Sequence, residues 1–301
     1  MISILIPVFN RNVVPLVTLL YSQLSAVNEQ GEIIVMDDGS SDEFLKNTNK
    51  KALGGFNNVR YIELPFNTGR NMIRHKLASA AACNTLIFLD ADSSLPDELF
   101  LQRYVDAVSG DKIIVGGRLY RTETPGASSL HFHYGKSREQ NTSFNRNKHP
   151  YRSFLACNFL IPRQQLSRLI IDNHLHGYCH EDTFMGLQFK MLGIPLIHID
   201  NPLYHEGIDD DLLFMKKQKE AIENLQYLYH TYHAGYDFTA EIKLIRVYKK
   251  IMRTDAGKYV LDKMAEREDY FKKSTLLSHS LFWLDCWKLA VYHKLSRAKI
   301  L

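Results

Sequence analysis

The sequence predicts an α/β fold, a mostly parallel central sheet flanked by helices, followed by a helical C-terminal extension. Three observations predict it. Over the first 120 of 301 residues, short β-rich runs alternate with segments of helical period, the pattern of βαβ units. Two of those runs end in paired carboxylates, Asp37 with Asp38 and Asp90 with Asp92, at the strand ends where open α/β sheets gather their ligands. From about Leu212 the pattern is helical throughout.

The strands are expected at residues 3–8, 32–36, 59–63, 85–89 and 112–115. Ser40 and Glu43 have the spacing of a capping box, and Ser94 followed by Pro96, Asp97 and Glu98 reads as a second helix start. From Tyr120 to Tyr151 the period dissolves into Thr, Ser, Asn, Arg and His, which predicts a long loop without structure of its own, of the kind that serves as a lid. A strand at 154–161 and a helix at 164–173 follow. The apolar positions Phe184, Met185, Leu187, Met191 and Leu192 predict a helix after Glu181, stopped by Gly193 and Pro195 before an apolar run to Ile199. The boundary between the two units falls at 211/212.

Hydrophobic residues make up 45% and charged residues 23%, which excludes a disordered, collagen-like or repeat-array chain. Cysteines 83, 157, 179 and 286 show no CxxC spacing, so neither a disulfide framework nor a zinc knuckle is expected, and a reducing, cytoplasmic setting fits. Residues 2–9 are too short and too interrupted by Pro7 for a secretory leader, and no uncharged run reaches 18 residues. Residues 216–301 hold 17 Lys and Arg against 10 Asp and Glu, while residues 1–215 hold 20 against 23. The extension is therefore basic, which suits either a solvated helical face or an anionic partner. It lacks the interleaved basic and aromatic residues of a nucleic-acid module.

Carboxylates at the edge of an apolar core are costly unless they bind something. Helix capping is one use. Cation binding is another: in an extended segment Asp90 and Asp92, at i and i+2, share a face, and an all-oxygen site suits Mg²⁺ or Mn²⁺ rather than zinc.

The series SILIPVFNR, EIIVMDDGSSD, NTGRNMIRHKLASAA, LIFLDADSS and HEDTFMG resembles, in order and over about residues 1–210, the family-2 glycosyltransferases. The resemblance implies an A-type, Rossmann-like fold and a nucleotide-sugar donor. It implies that the stretch from Pro7 and Val8 to Asn10 lies under the nucleotide, that Asp38 holds a base, usually uracil, and that Arg74 contacts the nucleotide or its diphosphate. Ile73 and His75 depart from the alanine and asparagine of the family pattern. Asp90-Ala91-Asp92 matches the D-x-D run whose second carboxylate holds Mn²⁺ or Mg²⁺ between the phosphates, and His205 resembles a histidine that some relatives add to that metal. A structural histidine is its other reading. His180-Glu181-Asp182 matches the motif whose aspartate is the catalytic base, with Glu181 supporting it. The alternative for Asp182 is a helix-terminal carboxylate with a lowered pKa. The segment 158–163 resembles one that approaches the acceptor.

Residues 1–211 are thus expected to form the nucleotide-sugar-binding catalytic unit and 212–301 its helical extension. The expected reaction is a metal-dependent, inverting transfer from a UDP-sugar to a hydroxyl of a saccharide or lipid-linked saccharide. Residues 276–295 mix Leu, Phe, Trp and Tyr with few charges. They suit an interfacial helix on the cytoplasmic face of a membrane, docking on the catalytic unit, or a homodimer contact. Two other functions compete. DADSS after an apolar strand also fits a haloacid-dehalogenase phosphatase, although about 85 residues precede it where the nucleophile should open the core. A saccharide- or nucleotide-binding protein without turnover would keep the fold, although it would be free to lose D-x-D or E-D.

Overall fold

A computed structural model describes residues 1–27, 30–123, 126–175, 177–178 and 180–298 of the protein. Ten strands run in chain order as β1 (Ile2–Val8), β2 (Gly31–Asp37), β3 (Val59–Glu63), β4 (Thr85–Leu89), β5 (Ser93–Ser94), β6 (Ile113–Val115), β7 (Arg118–Leu119), β8 (Asn158–Pro162), β9 (Leu196–His198) and β10 (Leu203–His205). The helices of the first 211 residues are α1 (Val14–Ala26), α2 (Glu43–Leu53), α3 (Arg70–Ala80), α4 (Phe100–Ala107), α5 (Leu130–Arg138), α6 (Ser143–Asn147), α7 (Arg163–Leu166) and α8 (Glu181–Met191). The last third is helical: α9 (Asp211–Tyr232), α10 (Phe238–Glu241), α11 (Lys243–Ile251), α12 (Asp255–Glu266), α13 (Glu268–Ser278) and α14 (Leu281–Ala298).

Among the described residues the main sheet has seven strands in the order β3-β2-β1-β4-β8-β6-β9. β1 to β4 are parallel, as is β6 with β9, and β8 runs antiparallel between β4 and β6. Both faces are covered, which is why β1 reads as an unbroken apolar run rather than an alternating one. Its side chains still alternate. Ile4, Ile6 and Val8 face a core with Leu16, Val17 and Leu20 of α1 and Phe100 of α4, whereas Leu5 faces Ile73 and Leu77 of α3 and Met185 and Phe189 of α8.

A second, three-stranded sheet of order β5-β10-β7 lies at the ligand end. β10 pairs antiparallel with β5, placing His205 opposite Ser93, and parallel with β7, placing Leu203 opposite Arg118. These short strands deliver His205 to the residue next to Asp92.

A third core joins the extension to the rest. Leu130 of α5 and Phe184 and Leu187 of α8 pack with Phe214, Leu225 and Leu228 of α9, Ile245 of α11 and Trp287 and Val291 of α14. α14 is therefore docked on its own chain through Leu284, Trp287, Ala290 and Val291. No helix among the described residues is long and apolar enough to cross a membrane.

Four expectations about elements are corrected. Asp42, not Ser40, caps α2 by accepting from the Leu45 N–H at 3.0 Å. Ser93 and Ser94 lie in β5, and the helix after them starts at Phe100. The segment 120–151 contains α5 and α6, capped by Ser129 and Thr142; its period was hidden because α5 buries His131 and Gly135 beside Leu130 and Phe132. The strand and helix expected at 154–161 and 164–173 contract to β8 and the four-residue α7. Cys83, Cys157 and Cys286 are free thiols, and Cys179 lies outside the described residues.

Candidate active site

The carboxyl ends of β2 and β4 hold the predicted strand-end acids. Asp37 is consumed structurally: it accepts from the Ser40 N–H at 2.7 Å and the Tyr61 hydroxyl at 2.8 Å. Asp38 ties β2 to the start of α3. Its Oδ1 accepts from the Thr68 N–H and hydroxyl, both at 2.7 Å, and its Oδ2 from the Gly69 N–H at 3.0 Å. Gly69 has φ +86°, a backbone conformation that only glycine adopts without strain. A carboxylate offers about four acceptor positions, so Asp38 retains one on Oδ2. Asn10 fixes the neighbouring loop by accepting from the Ser41 and Asp42 N–H groups at 2.9 and 3.0 Å. Pro7 and Val8 stand opposite Met36 and Asp37 in the sheet register.

At the end of β4 the chain turns at Ala91 and Asp92, so the shared face expected of Asp90 and Asp92 does not form. Asp90 is clamped between two arginines, Arg74 on Oδ1 and Arg118 on Oδ2, each at 3.3 Å. Asp92 points elsewhere. Its Oδ1 lies 3.4 Å from His205 Nδ1, yet both atoms are buried and neither has a hydrogen-bond partner. Burial opposes the Asp92 charge, but His205, Arg118 and Arg70 outweigh it and hold the carboxyl well below the usual range. A Cβ at position 207 would collide with that carboxylate, so Gly207 keeps the space open. An orphaned oxygen and an orphaned nitrogen aimed at one another fit a divalent cation. No group of three or more His, Cys, Asp or Glu among the described residues encloses it. Two protein ligands would leave the remaining positions to water and phosphate oxygens, and a pair of one carboxylate oxygen and one imidazole nitrogen suits Mn²⁺ better than Mg²⁺, which prefers oxygens throughout.

Arg74 departs from its expected role. It is buried, and it donates to Glu181 Oε1, Asp90 Oδ1 and the Ala156 carbonyl, each at 3.3 Å. Arg70, one helical turn earlier, is the arginine that reaches the cleft: its side chain is 45% exposed, 3.9 Å from Glu181 and 5.0 Å from the Tyr178 ring centre. Burial disfavours its charge, but Glu181, Asp90, Tyr178 and Asp92 together hold the guanidinium above its ordinary range. Arg70 therefore lies within electrostatic reach of both acidic motifs. His75 is pushed down to about 4 by burial and by Arg74, which leaves a neutral ring.

Asp182 opens α8, where the helix dipole and the Thr183 N–H at 2.6 Å favour its charge. Burial first, and Glu181 second, outweigh both and raise its carboxyl to about 7. That is the range of a general base at neutral pH. Asp182 lines a cavity of about 460 Å³ whose other walls include Arg70, Glu181 and Tyr178 on one side and Arg138, Asp285 and Lys288 on the other. Of the segment 158–163, Asn158 alone lies at the ligand end, where it accepts from the Tyr104 hydroxyl at 2.6 Å and donates to Gly117 and Asn201 carbonyls. The antiparallel course of β8 carries Arg163 to the opposite edge, where it binds the Ala78, Ala81 and Cys83 carbonyls.

Residues 3–168 match the family model described as Glycosyl transferase family 2. The chain belongs to this family. It is a glycosyltransferase, with the A-type fold of its solved relatives. Mannosyltransferase PcManGT from Pyrobaculum calidifontis, in complex with GDP-Man and Mn²⁺, is 13% identical with a TM-score of 0.56, covering 99% of this chain and 86% of its own. Glucosyl-3-phosphoglycerate synthase from Mycobacterium tuberculosis, in complex with Mn²⁺, UDP and glucosyl-3-phosphoglycerate, is 16% identical with a TM-score of 0.51, covering 75% and 79%. TarS 1–349 from S. aureus is 14% identical with a TM-score of 0.50, covering 99% and 91%. At these identities the likeness is one of fold. No curated protein matches the chain in sequence.

Several residues of this candidate site carry no motif. Arg118, Arg138 and Lys288 come from β7, α5 and α14, and Glu139 from the residue just after α5, and only tertiary structure brings them together. Arg70 alone left a trace, standing four residues before Arg74 on one helix face.

Proposed function

We propose that this glycosyltransferase moves a sugar, with inversion, from a UDP-sugar to a hydroxyl of a saccharide or lipid-linked saccharide. The observation that carries the reading is the position of Arg70, which lines the cavity with Asp182 and whose charge also acts on Asp92, the partner of His205. In this reading Asp92 and His205 hold Mn²⁺ or Mg²⁺, and Asp90 sets the arginines around them instead of ligating. A divalent cation there supplies charge neutralisation to the departing diphosphate. Arg70 takes the diphosphate contact first expected of Arg74. Asp38 accepts an imide N–H of the base on its remaining Oδ2 position, a charge-assisted bond that uracil can donate. Pro7, Val8, Asn10 and Ala91 border the nucleotide.

Asp182 accepts the proton of the attacking hydroxyl, which in this reading binds among the walls of the 460 Å³ cavity that Asp182 lines. Glu181 keeps Arg70 and Arg74 in place and so maintains both halves of the site. Residues 1–211 form the catalytic unit, and 212–301 extend it. A peripheral cytoplasmic position is a second reading, favoured by exposed Tyr270, Leu277 and Phe282 beside exposed Lys272 and Lys273.

Thermal melting with UDP, with and without Mn²⁺, tests the donor site. UDP plus Mn²⁺ is expected to raise the midpoint by several degrees in the wild type. Gly207→Ala, whose methyl group fills the space beside Asp92, is expected to abolish the metal-dependent part. No rise in the wild type above that in buffer would refute the donor assignment.

A further inference from the structure

The acceptor is defined here only as a hydroxyl, and the cavity beside Asp182 carries more information than that. Its carboxylates are almost all matched by cations. Glu181 faces Arg74 and Arg70 at 3.3 and 3.9 Å. Glu139 faces Arg118 at 3.1 Å. Glu241 faces Lys190 at 2.5 Å and Arg152 at 3.7 Å. Asp285 is shared by Arg138 and Lys243, both at 3.0 Å, so one carboxylate serves two cations on this wall. A third cation stands beside them. Lys288, one turn along α14 from Asp285, lies 4.7 Å from the Tyr134 ring centre and, among the described residues, has no carboxylate within ion-pair distance. Arg138, Lys243 and Lys288 thus line one wall of the cavity; among the described residues Asp285 is the carboxylate paired directly with this wall's cations, with Glu139 acting on Lys288 from further off, and Asp182 lines the same cavity.

A half-buried ammonium beside two further cations that share one carboxylate is costly to hold, a cost the Tyr134 face offsets only in part. Burial lowers the Lys288 amine to about 8, in keeping with that cost. We infer that the acceptor carries an anionic group, a phosphate or carboxylate, which Lys288 receives with Arg138 and Lys243 while its hydroxyl is presented to Asp182. This rests on the reading of Asp182 as the base. An acceptor so anchored is held at two points, which fixes the hydroxyl's approach and disfavours water as a competing nucleophile.

The test is calorimetric, on the full chain with UDP and Mn²⁺ saturating so that the diphosphate site is filled. The probes are glucose 6-phosphate, glucuronate and neutral methyl glucoside. At least one anionic sugar is expected to bind tenfold or more tightly than the glucoside. Lys288→Gln should erase that preference, Lys288→Arg should keep it, and UDP binding should stay unchanged in both. Farnesyl phosphate, titrated in parallel, separates a lipid-borne from a sugar-borne phosphate, and Lys288-dependent binding of either supports the site. Equal affinity for neutral and anionic probes, or a preference that survives Lys288→Gln, overturns the inference. Asp182→Asn, assayed for transfer, isolates the underlying reading. Loss of transfer without an anion preference sinks the anionic acceptor alone, whereas a Lys288-dependent preference with normal turnover in Asp182→Asn sinks the base assignment alone.

Discussion

The Asp182 carboxyl is raised to about 7 because burial and Glu181 outweigh the helix terminus and the Thr183 N–H. Two consequences have opposite signs. As base it must be deprotonated, so transfer is expected to rise as pH increases through about 7, and Asp182→Asn is expected to lose transfer by 10²- to 10⁴-fold while still binding donor. For stability, the folded protein holds a proton on Asp182 that the unfolded chain releases near pH 4. This group therefore costs increasing stability as pH rises from about 4 to about 7. Asp182→Asn should consequently melt higher than wild type at pH 8, by a margin that shrinks at pH 4; a melting difference independent of pH would show that the carboxyl is not raised. The neighbouring acids show how much of this was legible. Asp38, Asp92 and Asp182 stand out as strand-end or motif carboxylates, but the partners that decide their chemistry do not. Asp90 was misjudged because the i, i+2 rule presumes an extended segment, and the chain turns at Ala91.

β1, β2 and β4 were read nearly to the residue, since each is largely a run of buried apolar side chains with covered faces, and such runs leave little ambiguity; the half-exposed edge strand β3 shows instead only as a short β-rich run. Helix ends were harder. In DDGSSDE three residues, Ser40, Ser41 and Asp42, are all chemically able to cap α2, and the choice falls to Asp42 because Ser40 Oγ already accepts from the Asn10 N–H at 2.8 Å. Asp42→Ala is therefore expected to cost about 1 kcal/mol, whereas a capping box centred on Ser40 would predict no loss at Asp42. Urea unfolding of the variant discriminates the two. The two helices within 120–151 escaped notice for a related reason. Leu130 and Phe132 pack beside His131, which accepts from the Asp209 N–H at 2.9 Å and stacks on Phe214. A histidine used as a buried aromatic looks polar in the sequence and interrupts the apparent period.

At the scale of the whole molecule, the basic excess of the last third does not leave that third as a loose appendage, because Trp287 and Val291 of α14 share a core with Phe184 and Leu187 of α8. The composition of residues 276–295 favours docking, on the catalytic unit or a second copy, only slightly over membrane contact, since both need the same aromatic and aliphatic side chains. Only tertiary structure shows which ones are spent inside. Leu284, Trp287 and Val291 are, and Leu277 and Phe282 are not, at 77% and 66% exposure. If the peripheral reading holds, Leu277→Ser with Phe282→Ser should abolish cosedimentation with anionic vesicles and leave the melting temperature within about 1 °C, as exposed substitutions generally do. Cosedimentation equal to wild type would remove the reading. The double duty of α14, which closes the third core with one face and lines the cavity with another, constrains how this enzyme can diversify. A lineage exploring new acceptors meets a fold penalty at every α14 position facing inward, so drift in preference is channelled to sites such as Lys243, whose side chain is 59% exposed, where change is nearly free of that toll.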